Sequence, residues 1–463
     1  MATTANDFLT ALKTLYPEDQ SLLTEQSDCW AYGYDNSRRQ AQARAVVFPR
    51  LQQQVIDTVK LCNQYQVHIT ARGAGTGTTG ASVPIHNAIV LSTEKMDKII
   101  NIDPDNRLMV VEPGVSNQAV QLAAAEHGFF WPPDPTSSSI CTIGGNLAYN
   151  SAGPRAVKYG TPRENTLGLS CVTGAGESLK TGAYTTKSVV GYDLTRLIIG
   201  SEGTLAIITQ ATLKLTPLAE AKHTIQAIYS SVESAAKAVA NIMAQPITPC
   251  ALEFMDATAI ALVKDKAQLE LPDHAQALLM IEVDGEQFGI EKMSQEIIRS
   301  ASVTGVIDVK LATTEQQIKQ LWQARKALSP SLRKIAPKKI NEDVVVPVSE
   351  IPALIHGLQR LSTEYQIPIV NFGHAGNGNI HVNLLVQAEQ LENAKECLSQ
   401  VFALVMQLNG SLSGEHGIGL EKRDYIGLEL DSVAISLMKK IKQQFDPLNL
   451  LNPDKVFPVN TET

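Results

Sequence analysis

Apolar and polar positions change period repeatedly along this chain, which predicts helices and strands interleaved from end to end. Residues 1–35 read as a helix and a polar entry segment. Ala45-Val-Val-Phe48 is a short apolar run stopped by Pro49. Leu51, Val55, Val59 and Cys62 recur on one face, which predicts a helix over Leu51–Tyr65. Short apolar runs predict strands at Val67–Thr70, Ala88–Leu91 and Leu108–Glu112, and Ser116 and Gly128 read as the cap and the end of another helix. Trp131–Thr161 is rich in Gly, Pro, Ser and Asn and has little period; irregular stretches of that length in compact domains usually serve function. Leu205–Leu215 alternates like strands again. Composition changes near Pro217, and helical (Ser231–Met243) and strand-like (Ala277–Val283) patterns then alternate to about Gly410. The expected segments are therefore 1–217, 218–410 and 411–463 in an α+β chain.

Bulk composition narrows the class. At 463 residues the chain needs about two or three domains, and 44% hydrophobic with 19% charged residues describes a globular protein. A net charge of −8 disfavours a nucleic-acid partner, which wants a basic face. The longest apolar runs, such as Val401–Met406, are far too short to span a bilayer, and the first residues have neither a basic nor an apolar signal region. Cys29, Cys62, Cys141, Cys171, Cys250 and Cys397 are scattered without CxxC spacing, which fits reduced thiols in a cytoplasmic protein.

Candidate chemistry is concentrated in His374-Ala-Gly-Asn-Gly-Asn-Ile-His381, followed by Asn383 and Glu415-His416. The apolar runs Ile367–Phe372 and Ile380–Val386 on either side read as strands, and the Gly-Asn repeat supplies the positive φ that a reversal needs. Such a hairpin brings His374 and His381 close enough to share a metal ion, with Asn383 on the same face as His381. Glu415 supplies a carboxylate to complete a His/His/Glu site with a position left open for substrate.

Gly75-Thr-Gly77-Thr-Thr-Gly80 matches the dinucleotide fingerprint literally, but Pro84 and another strand-like run follow where that fingerprint requires a helix. The nicotinamide reading is weak. A loop with glycines at 73, 75, 77 and 80, led by Arg72 and carrying the hydroxyls of Thr76 and Thr78, reads better as a nest of amides around a pyrophosphate. Further small-residue blocks follow: Pro132–Ser139, Cys141–Asn146, Asn150–Gly153 and Gly200–Thr204. Their small and hydroxyl side chains let backbone approach a flat ring.

With Arg72-Gly-Ala-Gly-Thr-Gly77, Thr142-Ile-Gly-Gly-Asn146, Gly200-Ser-Glu-Gly203, the His374–His381 run, Gly414-Glu-His-Gly-Ile-Gly419 and Leu451-Asn-Pro453 in this order, the chain resembles FAD enzymes of the vanillyl-alcohol oxidase/p-cresol methylhydroxylase type. It is most similar to their D-2-hydroxyacid dehydrogenase branch: D-lactate dehydrogenase, glycolate oxidase FAD subunit and D-2-hydroxyglutarate dehydrogenase. The resemblance runs from about Ala45 to Phe457. It implies a two-subdomain FAD-binding domain over 1–217, a substrate or cap domain over 218–410, and a C-terminal segment, 411–463, that returns to the FAD domain and completes the active site. Arg72, Gly73, Ala74, Gly75, Thr76 and Gly77 would hold the FAD pyrophosphate. Pro135, Thr136, Thr142, Gly145, Asn150, Ser151, Glu202, Gly203 and Ile207 would line FAD, with Asn452 near the ring. His374, His381 and Glu415 would bind a divalent metal: zinc first, iron or manganese as alternatives. No His lies between Thr70 and Gly80, so the expected FAD is noncovalent.

The resemblance further implies that Arg325 grips the substrate carboxylate, that Asn383 and His416 contact substrate, and that His416 is the base. Relatives acting on 2-hydroxyglutarate place Ser or Thr four residues after this arginine and Lys six before the Pro of an acidic-then-apolar strand. Ser329 matches the first, but Asn341 stands at the second, with Pro347 closing that strand. Losing that cation favours a monocarboxylate such as D-lactate. Lys338 and Lys339 lie close to it, and read as part of a solvated basic run with Arg333 and Lys334. The expected partners are a small 2-hydroxy acid and a separate electron acceptor (quinone, cytochrome or electron-transfer flavoprotein), with no nucleic acid. A homodimer and peripheral association with the inner face of a membrane fit the same reading. Its rival from another class is a noncatalytic flavin- or metal-binding subunit, for which a degraded His/His/Glu/His set is expected.

Overall fold

The helix read from Leu51 forms over Gln52–Tyr65, with Leu51 extended in the cap position and its N–H donating to the Gln54 side chain at 3.2 Å. Val55, Val59 and Cys62 face inward as their spacing requires, and pack with Ile69, Ile89 and Leu91. The computed structural model describes residues 2–267, 271–332 and 335–459; Arg333 and Lys334 lie outside these. The chain divides into two compact units. The first comprises Met1–Ala152, Gly160–Leu218 and Glu415–Thr463; the second comprises Gly153–Tyr159 and Ala219–Gly414.

The first unit contains a four-stranded sheet in the order Leu22–Leu23, Val46–Val47, Ile89–Ser92, Ile69–Arg72. Ile69–Arg72 and Ile89–Ser92 are parallel neighbours joined without a helix, so the connection between them runs as an open loop. Its second sheet is antiparallel, in the order Ile99–Asp103, Leu108–Val111, Ala206–Lys214, Thr166–Thr173, Ser178–Gly182. Trp131 is wholly buried in the core beside this sheet, with Val120 and Ala124 of the helix Asn117–Ala125. That helix is capped by Ser116 as expected, but it ends three residues before Gly128. The run Leu205–Leu215 forms one continuous strand, Ala206–Lys214, rather than several. The stretch Trp131–Thr161 also departs from the irregular reading. It contains the short helices Ile143–Tyr149, which holds two glycines, and Ala156–Tyr159, both too brief to leave a periodic signal.

The second unit is built on a seven-stranded antiparallel sheet. Its order is Val306–Leu311, Ala221–Tyr229, Ala277–Gly285, Ala251–Asp256, Ile369–His374, Asn379–Val386, Lys338–Val345. The helices Ala257–Ala267 and Glu315–Leu332 cover one face, burying Leu321, Ala324 and Leu328 against Met255, Val370 and Phe372. Among the described residues, no helix is long and apolar enough to cross a membrane.

Candidate active site

The two histidines sit on a true hairpin. Ile369–His374 pairs antiparallel with Asn379–Val386, with Phe372 opposite His381 and Val370 opposite Asn383. His374 and His381 are therefore diagonal neighbours on one face, and their ring centroids are 5.2 Å apart. The reversal is a single 3-10 turn, Ala375–Asn377, closed by Gly378 at φ +71°. A Cβ on Gly378 would stand 1.8 Å from the Val346 carbonyl oxygen, so glycine is required there by both conformation and space.

Glu415 directly follows a segment tied to the sheet of the hairpin. Lys338–Val345 pairs with the second hairpin strand, placing Asp343 opposite His381. Val345 and Ser411 exchange backbone hydrogen bonds at 3.0 and 2.8 Å, and the Gly414 N–H donates to Asp343 Oδ2 at 2.9 Å. The next residue is Glu415. One donor atom each from His374, His381 and Glu415 lie within 4.8 Å of one another. Ligands at 2.0–2.2 Å from a shared ion stand up to roughly 4 Å apart, so the spacing of this set is close to what one cation requires. Two imidazoles and a carboxylate suit zinc, iron or manganese.

The sequence reading missed Glu253, which joins the two halves of this face. Glu253 lies opposite His374 on the neighbouring strand Ala251–Asp256 and is 1% exposed. Its Oε1 is 2.5 Å from His374 Nδ1, and its Oε2 accepts from Arg325 Nε at 2.5 Å. Burial alone would raise the Glu253 pKa, but the charges of His374 and Arg325 hold it down to about 2. An ionised carboxylate only accepts, so Nδ1 of His374 carries a proton, and a metal would take the ring through Nε2 by displacing the proton there. The detectable signal was an acid inside an otherwise apolar strand, Ala251-Leu-Glu-Phe-Met255.

Arg325 is buried on the helix Glu315–Leu332, its guanidinium carbon 4.9 Å from the Phe372 ring centroid. With Nε held by Glu253, the two Nη groups form the fork available to a carboxylate. The same helix is tied down at Trp322, whose indole donates to Glu282 at 2.7 Å, and at Ser329, which accepts from Lys339 at 3.1 Å. Lys339 is therefore engaged beside Ser329 rather than part of a fully solvated run. Asn383 is fully buried; its amide donates to the Val370 and His381 carbonyls at 3.1 Å and accepts from Asn341 at 2.7 Å.

The expected FAD residues converge in the first unit. Among the described residues, no amide from Gly73 to Gly80 donates a hydrogen bond to another protein group, which leaves a row of N–H donors suited to phosphate oxygens. The loop is pressed against the next block: a Cβ on Gly73 would fall 2.3 Å from Thr142 Oγ1, and one on Gly77 would fall 2.4 Å from the Tyr149 hydroxyl. Arg72 is buried and donates to the Tyr34 carbonyl at 2.7 Å. Thr142 caps the helix Ile143–Tyr149 through the Gly145 N–H at 3.3 Å. Asn150 ends that helix, its amide oxygen accepting from Thr161, while Ser151 accepts from Asn146 at 3.2 Å. Pro135 is buried, Thr136 is exposed, and Gly203 is partly buried. Ile207 is a core residue, packed with Val172 and Leu451. Asn452 donates to the Glu202 carbonyl at 2.7 Å and accepts from Lys455 at 2.9 Å; Lys455 also donates to the Ala81 and Val83 carbonyls. Lys455, unmarked by any motif, thus ties Asn452 to the end of the glycine loop. These free amides and tight approaches fit an extended dinucleotide pyrophosphate.

Glu202 uses its carboxylate to hold the segment after His416, accepting from the Ile418 N–H at 2.6 Å and the Gly419 N–H at 2.9 Å. The His416 carbonyl accepts from Thr79 at 3.3 Å. Burial raises the Glu202 pKa to about 7, against the pull of these amides, Lys455 and Lys422. A carboxyl whose folded pKa is raised contributes stability below its unfolded value that is lost as pH climbs through the folded value. From the ordinary carboxylate value of 4.5 to about 7, the loss is roughly 3 kcal/mol. Wild-type stability in urea should fall by up to this amount between those pH values relative to Glu202→Gln. Parallel pH profiles for the two proteins would refute it.

Family comparison agrees with this assembly. The model described as FAD binding domain matches residues 43–182, and that described as FAD linked oxidases, C-terminal domain, matches residues 218–456. The chain belongs to the FAD-linked oxidase family. Among relatives of this flavoprotein, the glycolate oxidase subunit GlcD of Bacillus subtilis (strain 168) is 37% identical over 92% of each chain. The D-lactate dehydrogenase of Archaeoglobus fulgidus is 35% identical, over 92% of this chain and 95% of its own. The D-2-hydroxyglutarate dehydrogenase of Stutzerimonas stutzeri is 31% identical, over 96% and 98%. The fold of this FAD-linked oxidase is that of p-cresol methylhydroxylase, whose substrate-bound structure matches with TM-score 0.81 at 17% identity, over 100% of this chain and 99% of that one. The α+β fold of vanillyl-alcohol oxidase/p-cresol methylhydroxylase type, expected from the motifs, is the fold found.

Proposed function

We propose that this FAD-linked oxidase oxidises a D-2-hydroxy acid, with D-lactate the best-fitting substrate, to the 2-oxo acid, and passes the electrons to a separate acceptor. Arg325 receives the substrate carboxylate on its two Nη groups, a bidentate fork that fixes the orientation of the α-carbon. His416 takes the hydroxyl proton as general base. Asn383 and Asn341 steady the strand beneath the substrate. His374, His381 and Glu415 would hold a divalent cation, which supplies Lewis-acid polarisation of the substrate hydroxyl. The glycine loop, the Thr142 helix and Asn452 would hold noncovalent FAD, which supplies the hydride acceptor.

The observation that most supports this reading is the complete His374, His381, Glu415 set, with Glu253 hydrogen-bonded to both His374 and Arg325. A noncatalytic subunit has no need of it. The names of the relatives add support: glycolate oxidase subunit, D-lactate dehydrogenase and D-2-hydroxyglutarate dehydrogenase. The direct test is anaerobic mixing with a panel of D- and L-2-hydroxy acids. D-lactate should bleach the flavin band and its L enantiomer should not; no bleaching by any D acid overturns the proposal. Acid precipitation should release the flavin into solution, and flavin retained in the pellet would contradict noncovalent attachment.

A further inference from the structure

We infer that Glu253 is a positioning residue shared by substrate binding and metal retention, one carboxylate whose two oxygens set the tautomer of His374 and the orientation of Arg325. The inference rests on the function proposed above and deepens it.

The two oxygens of Glu253 face two different N–H donors, His374 Nδ1 and Arg325 Nε, each at 2.5 Å. The carboxylate is 1% exposed, so water does not substitute for either partner. Its strand is held in register on both sides, by Met280 across one ladder and by His374 across the other. Arg325 is fixed from above by Phe372, and its helix is tethered separately at Trp322 and Ser329. Neither donor can therefore move far without losing Glu253. A glutamine of the same shape satisfies only one of them. If its oxygen accepts from Arg325, its amide N–H₂ meets His374 Nδ1, and the ring relieves that clash by moving its proton to Nε2. That tautomer has no lone pair for a metal on Nε2. If its oxygen accepts from His374 instead, the amide faces the Arg325 Nε–H and turns the fork aside. Glu253→Gln must damage one function or the other, and exchange between the two orientations damages both.

The comparison residue is Glu282, a buried carboxylate on the adjacent strand of the same sheet. It is held by Trp322, Thr224 and Lys222 and touches no metal candidate.

The experiment uses FAD-loaded protein stripped with a chelator and titrated with Zn(II) against a chromophoric competitor, alongside KM and kcat for D-lactate. Wild type should bind one Zn(II), and His381→Ala should not. Glu253→Gln should bind Zn(II) about 10- to 100-fold more weakly, as expected for loss of a partner behind a metal-ligating histidine, and should raise KM more than Glu282→Gln does. Glu282→Gln should keep wild-type Zn(II) affinity. Glu253→Asp keeps the charge but is too short to reach both donors; it serves if the glutamine variant does not fold, and should show the same losses in smaller measure. Wild-type Zn(II) affinity and KM in both Glu253 variants, with binding lost in His381→Ala, overturns this inference and leaves the proposed function standing. No Zn(II) binding by wild type removes the metal from the proposed function, and the shared role of Glu253 with it.

Discussion

His381→Ala should lose the divalent metal and at least roughly a thousandfold of turnover while retaining its full complement of FAD. A Lewis acid at a developing alkoxide contributes several kcal/mol to the barrier, and each 1.36 kcal/mol is tenfold in rate. His381 is buried opposite Phe372 on the second hairpin strand, so removing the ring leaves His374 and Glu415 without a third ligand. FAD should survive because the residues expected to hold it belong to the other compact unit. Metal analysis, flavin absorbance and turnover on the same preparation distinguish the outcomes. If both chelation and the substitution leave turnover unchanged, the metal has no part in the reaction.

The second large effect concerns substrate selection. Arg325→Lys keeps a positive charge but removes the planar fork and the Nε–H donated to Glu253. A lost charged hydrogen bond costs about 1.5–3 kcal/mol, so kcat/KM should fall roughly 10- to 150-fold for every 2-hydroxy acid alike. Discrimination between acids should respond to other residues. Asn341 is committed to Asn383 at 2.7 Å and offers no cation, so D-lactate should exceed D-2-hydroxyglutarate by about tenfold in kcat/KM. Lys339, on the same strand face as Asn341 and 3.1 Å from Ser329, is the cation expected to give any residual attraction for a second carboxylate. Lys339→Met should widen the gap, and Asn341→Lys should narrow it by helping the dicarboxylate alone. A wild-type enzyme already faster on D-2-hydroxyglutarate would sink the monocarboxylate reading and make Lys339 the distal clamp.

What the sequence disclosed here follows the range of the interactions involved. The hairpin was readable because two apolar β-branched runs flank a Gly-Asn reversal, and strand period alone then puts His381 and Asn383 on one face. The glycine loop was readable because bare amides and positive φ leave a compositional trace. Glu253 was not, because its meaning depends on His374 and Arg325, more than seventy residues away in sequence. Lys455 was hidden for the same reason: a lone lysine near a terminus looks solvated until Ala81 and Val83 are found to accept from it. The short helix Ile143–Tyr149 escaped because it holds two glycines in seven residues and takes its stability from Thr142 and the core beneath it. The monocarboxylate expectation treated Lys339 as solvated, and only the strand register set it beside Ser329.

The two units are interleaved along the chain, and this orders events during synthesis. Leu451 is buried among the residues of the first core, and its neighbours exchange hydrogen bonds with Ile69: Ile69 N–H donates to Leu450, and Asn452 N–H donates to Ile69, both at 2.8 Å. The glycine-loop unit therefore lacks a buried piece of itself until residues 450–452 have left the ribosome. The hairpin unit is almost wholly contained in Ala219–Gly414, so its seven strands can pair while the remaining segment is still being made. The later half of the polypeptide is thus able to mature first, and a nascent chain stalled before residue 450 would carry a finished sheet behind an unfinished amino-terminal half.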